Sequence, residues 1–79
     1  MELVASREHA YGPVCESFAK IARVRELITG PGDTPAMREL LSQLAMKLVR
    51  RTYSPEEPDH TRDARGYLVL IDSVQEAGA

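Results

Sequence analysis

The chain has 79 residues, of which 43% are hydrophobic and 28% charged, with a net charge of -2 and a single cysteine, Cys15. That length allows one domain, and a chain so short buries only roughly 60–65% of the surface its unfolded form exposes. The lone cysteine excludes an intrachain disulfide, the acidic balance disfavours binding nucleic acid through bulk charge, and no apolar run is long enough to span a membrane.

The core is thin as well, with one Phe, three Tyr and no Trp. A metal or a second subunit is the usual remedy in a chain of this size. After Met1 and Glu2 no basic stretch leads into an apolar run. No secretory signal is therefore expected, and a reducing, cytoplasmic compartment is.

Two punctuated linkers, Thr29-Gly30-Pro31-Gly32-Asp33 and Ser54-Pro55-Glu56-Glu57-Pro58, divide the sequence. Gly and Pro at this density stop helices, and the pattern predicts an all-α fold, a three-helix antiparallel bundle. A short helix over residues 2–10 would precede it and end at Tyr11-Gly12-Pro13.

The first main helix is expected over residues 13–29. Pro13 suits a first turn, and Val14, Phe18, Ile21, Val24 and Ile28 recur at helical steps. Glu16 and Lys20 form an outward i,i+4 pair. Ser17 and Arg25 fall inside the apolar face, so polar partners are expected across from them.

The second helix is expected over residues 35–52, with Thr34 as N-cap and Pro35 as first residue. Met37, Leu40, Leu41, Leu44 and Leu48 make one stripe, edged by Lys47 and Arg51. Met46 and Val49 lie off that stripe, a second apolar patch that hints at a subunit contact. Isolated surface apolars are the ordinary alternative.

The third helix is expected over residues 58–76. Ser54 to Glu57 has the form of a capping box, which would move the start earlier. Ala64, Tyr67, Ile71 and Val74 face inward, with His60 one turn before. Asp59 and Asp63 stack along one edge, which Gly66 and Leu70 continue. Gly66 costs about 1 kcal/mol against Ala inside a helix. A close helix crossing, a ligand's approach or plain tolerance would each account for it.

Asp59 and Asp63 are the first chemical candidate. Two carboxylates one turn apart repel unless a cation lies between them, and Mg²⁺ takes such oxygens. Against this, Asp59 suits the helix dipole, and Asp63 could simply pair with Arg62, Arg65, Lys47 or Arg51. His60 is more commonly a hydrogen-bonded core-edge residue than a ligand. Lys47 with Arg50 and Arg51 is the second candidate. These cations could hold a phosphate, or merely match the end of the helix dipole. Cys15 near a helix start has no base that the sequence identifies.

One ordered set goes further. The chain carries Arg7, Tyr11-Gly12, Glu16-Ser17-Phe18, Ile21-Ala22, Met46-Lys47-Leu48-Val49-Arg50, then Asp59, Asp63 and Gly66-Tyr67. This order resembles small phage and prophage proteins related to the MazG-like, all-alpha nucleotide pyrophosphohydrolases. Those proteins carry Tyr-Gly before a Glu-Asn-Phe helix, a Leu-Lys-x-x-Arg middle helix, and spaced aspartates followed by Gly-Tyr. The resemblance implies a homo-oligomer, dimer or tetramer, a Mg²⁺ site and a nucleotide ligand. Residue by residue it makes Asp59, Asp63 and Glu16 the metal-binding acids and sets Lys47 and Arg50 by the phosphates.

Ser17 stands where the relatives carry Asn, and Arg25 where they often carry Trp. The first helix lacks the Glu-x-x-Glu pair of the active enzymes, which leaves the acidic motif incomplete. Two readings follow: a Mg²⁺-dependent nucleotide pyrophosphohydrolase or nucleotide-binding relative, and a non-catalytic homo-oligomeric helical protein that binds a host or phage partner. A helix module for nucleic acid, built on Lys47, Arg50 and Arg51, is disfavoured by the net charge.

Overall fold

The structure, a computed structural model, describes residues 13–78. Those residues form three helices and no strand: α1 (Val14–Ile28), α2 (Pro35–Tyr53) and α3 (Pro58–Glu76). The short helix expected over residues 2–10 lies outside the described residues.

Local chemistry sets the boundaries. The Pro13 carbonyl accepts the Ser17 N–H at 2.8 Å and opens α1. Thr29 turns extended and ends it, with its hydroxyl donating back to the Arg25 carbonyl. In the loop the Gly30 N–H donates to Asp33 Oδ2 at 2.7 Å. Arg38 then reaches back from α2 and donates to the Asp33 and Gly30 carbonyls, each at 3.2 Å. Thr34 caps α2 as expected: its hydroxyl oxygen accepts the Met37 N–H at 3.2 Å, with Pro35 in the first turn.

The second linker works differently from its sequence pattern. Ser54 does not open α3. It closes α2, donating its N–H to the Arg50 carbonyl at 3.2 Å, and α3 begins at Pro58 with no side-chain cap from Glu57. Pro58 fills a position whose N–H has no helical partner, so the proline fixes the start in place of a capping box.

The helices pack in a row. α2 lies against α1 on one side and α3 on the other, while α1 and α3 make no packing contact. The result is an open bundle with α2 at its centre. Its radius of gyration is 13.7 Å, against about 12 Å for a compact chain of this length.

This arrangement gives α2 two inward faces. Toward α1 the core is Ile21, Ala45 and Val49, with Val24, Met46 and Tyr53 packed around it. Met37 and Leu44, also buried, lie on the opposite side of the α2 wheel, the flank that carries Lys47. On α3 the buried residues are His60 and Ala64, with Tyr67, Ile71 and Val74 half-buried.

The surface patch expected at Met46 and Val49 is therefore corrected. Val49 is 5% exposed and belongs to the α1–α2 core, where Met46 packs against it. A one-sided helix would have left both in solvent; a central helix buries them. The cost falls on the outer helices. Val14, Phe18 and Ile28 of the expected α1 face stay at least 40% exposed, as does Leu48 of the α2 stripe. Ser17 is buried, and its hydroxyl donates to the Val14 carbonyl within its own helix at 3.2 Å. Arg25 is exposed.

Candidate functional site

The α2–α3 seam gathers most of the polar residues singled out by the sequence. Lys47 projects from α2 with its stem covered, and its ammonium lies 2.9 Å from Asp63 Oδ2. The Lys47 side chain is 18% exposed and that of Asp63 45%. Hydrogen bonding to Lys47 is the main cause that lowers the Asp63 carboxyl below its ordinary value of 3.8; the charges of Lys47, His60 and Arg62 act in the same direction, against desolvation. Asp59, one turn earlier, is exposed and meets Arg62 at 3.4 Å. Both carboxylates thus sit on one edge of α3, and each is matched by a cation of the chain, the ion pairing that the sequence offered as the alternative to a metal between them.

Beneath them is a contact that sequence reasoning missed. His60 Nε2 and Ser54 Oγ are 2.9 Å apart, and both residues are buried. Ser54 also reaches the Arg50 carbonyl through its hydroxyl at 3.3 Å. This polar contact ties the end of α2 to the first turn of α3 and holds the Asp59–Asp63 edge against Lys47. The signal was present in His60 on an inward stripe just past a proline-bracketed turn. Reading Ser54 as a helix opener concealed it.

The remaining predicted site residues are dispersed. Arg50 is half-buried and Arg51 exposed in the last turn of α2. Glu16 lies on α1, paired with Lys20 at 3.3 Å, and α1 does not touch α3. One chain therefore does not bring Glu16 to the aspartates. Among the described residues no three His, Cys, Asp or Glu side chains converge as a metal site.

At the other seam, the Lys20 ammonium lies 4.6 Å from the centre of the Tyr53 ring. The Tyr53 phenol first, and Glu16 second, raise Lys20 above its ordinary 10.5.

One shallow depression, of 610 Å³, lies where α1 ends and α2 begins, between Arg25 and Arg38, with Glu26 and Glu39 also lining it. Another, of 360 Å³, is an open surface of α3 lined by Arg62, Asp63, Gly66, Tyr67 and Leu70. Cys15 is exposed. No helix among the described residues is long and apolar enough to cross a membrane. Comparison with protein-family models, with curated proteins and with solved structures gives no match.

Proposed function

We propose that this chain is a phage-type, MazG-like nucleotide-binding protein that takes up a nucleoside triphosphate with Mg²⁺ at the α2–α3 seam. The observation that carries this reading is the Lys47–Asp63 pair at 2.9 Å, with Asp59 one turn away on the same edge. An ammonium beside one carboxylate, with a second carboxylate a turn away, supplies donors for a phosphate and for its cation. Lys47 would meet a phosphate oxygen, and Asp63 and Asp59 would hold the metal. Arg50, in the same stretch of α2, would add positive charge toward the phosphates. Bound there, Mg²⁺ would polarise the phosphate chain toward attack by water.

The ordered resemblance makes pyrophosphate release the expected reaction. The described residues of a single chain gather too few acids for it, and Glu16 stands apart. The proposal therefore includes a homo-oligomer, dimer or tetramer, in which a second copy completes the site.

The test is a melting experiment with Mg²⁺ or Mn²⁺ and a nucleotide panel. Ligand that binds only the folded state raises the melting temperature. The parent protein should be stabilised and Asp63→Asn should not. Phosphate release with added pyrophosphatase then measures turnover, and a parent protein indifferent to metal and nucleotide alike would refute the proposal.

A second reading has its own support. Phe18, Leu27, Leu68 and Val69 are all more than half exposed. Such a surface suits a non-catalytic homo-oligomeric protein that docks a host or phage partner. Silence across canonical and modified nucleotides would favour it.

A further inference from the structure

One turn of α3 is apolar on every side. The consecutive residues Tyr67-Leu68-Val69-Leu70-Ile71 cover more than a full helical turn. Tyr67 and Ile71 are half-buried, but Leu68, Val69 and Leu70 between them are 53%, 61% and 49% exposed. A helix apolar all round is normally enclosed, and three consecutive apolar residues in water are unfavourable without a partner. α1 does not cover them, because it makes no packing contact with α3.

The charges on either side of this girdle are ordered. Arg62 and Arg65 precede it, Asp72 and Glu76 follow it, and all four are exposed. With Val69 they recur at alternating three- and four-residue steps, which sets them on one stripe, turned away from the buried His60 and Ala64. Their order opposes the helix dipole, which favours acids at the start and bases at the end; the last turn of α3 holds no base. Among the described residues Arg65, Asp72 and Glu76 take part in no ion pair, and the Arg62–Asp59 pair is exposed.

Reversed onto itself, the stripe is complementary. Arg62 and Glu76 lie about 21 Å apart along the axis and Arg65 and Asp72 about 10 Å, and both pairs are centred on Leu68 and Val69. An antiparallel second α3 sets each arginine against an acid and brings the two apolar girdles together. A surface complementary to its own copy makes an isologous contact about a two-fold axis.

We infer that two copies of this chain pair antiparallel through the outer face of α3, with Arg65 of each copy facing Asp72 of the other about an axis near Val69. The inference rests on the homo-oligomer in the function proposed above, and adds to it the surface and the direction of pairing. It does not depend on the nucleotide.

Sedimentation over a range of concentrations is measured for the parent, Arg65→Asp, Asp72→Arg and an equimolar mixture of the two variants. Each variant alone sets like charges across the axis and should associate about tenfold or more weakly than the parent. The mixture should recover most of the parent's association, since each variant meets its complement in the other; a defect in folding would not be mended by mixing. Circular dichroism melts confirm that each variant is folded. Independently of charge, Val69→Cys in a Cys15→Ser background should form a disulfide-linked dimer under a mild oxidant. Arg62→Cys in the same background should not, because its two copies would lie about 20 Å apart.

An oligomeric parent whose association is unchanged by both variants, or weakened by both and not restored by mixing, would overturn the α3 pairing and leave the proposed oligomer standing. Cross-linking through Arg62→Cys in place of Val69→Cys would overturn the antiparallel direction. A parent that stays monomeric would remove the pairing and the oligomer together and give this face to a different partner, with nucleotide binding still decided by the melting experiment.

Discussion

At the scale of single residues, the Lys47–Asp63 contact has a defined pH signature. Asp63 is held below its ordinary value of 3.8 by Lys47. A depressed carboxyl stabilises the folded state above the unfolded pKa, and that contribution fades as pH falls through the folded value. Denaturant midpoints of the parent should therefore drop on acidification below about pH 4 by a component that Asp63→Asn lacks. Lys20 has the opposite sign: raised above 10.5, it contributes below that value and loses its contribution as pH rises past it. Gly66→Ala should stabilise the protein by about 1 kcal/mol, read as a higher urea midpoint at unchanged slope, because the helix gains and nothing clashes. Ser54→Ala removes the buried hydrogen bond to His60 and should cost about 1–3 kcal/mol in the same assay.

At the scale of elements, α2 is a strong former with a paired cap. Thr34→Ala should cost about 1 kcal/mol by thermal unfolding, since the Met37 N–H loses its acceptor. Val49→Ala should cost more, about 2 kcal/mol, because Val49 fills the α1–α2 core and the cavity would be only partly refilled. The signals at helix starts were legible from sequence: Thr34-Pro35 and Pro58 act through their own backbone and hydroxyl groups, so neighbours in the chain are enough to read them. Facing was not. Val49 read as a surface residue because periodicity identifies an apolar stripe but not how many partners a helix has. Ser54 read as a cap for the helix ahead because its acceptors, Arg50 behind and His60 beyond, depend on how the linker folds. Asp63 was legible as a candidate, but its choice of Lys47 over Arg51 or Arg65 is a matter of helix crossing.

At the scale of the whole molecule, the separation of α1 from α3 goes with apolar side chains left exposed on all three helices. No large side chain is fully buried among the described residues, which fits a chain too small to close its own core. Sedimentation should give a mass that rises with protein concentration, and Leu48→Glu, at a 44% exposed position, should lower that mass more than it lowers the melting temperature. An unchanged mass across concentration would remove the homo-oligomer from the proposal.

The absence of contact between α1 and α3 has a kinetic consequence. Among the described residues each seam joins segments that are consecutive in the chain, so the longest loop to be closed is a single helical hairpin. Such topologies have low contact order and fold quickly, and their parts open separately. Amide exchange should find α2 the slowest segment, with α1 and α3 peeling away from it independently. The protein would then behave as a pair of hinged flaps on one spine, each able to open without the other.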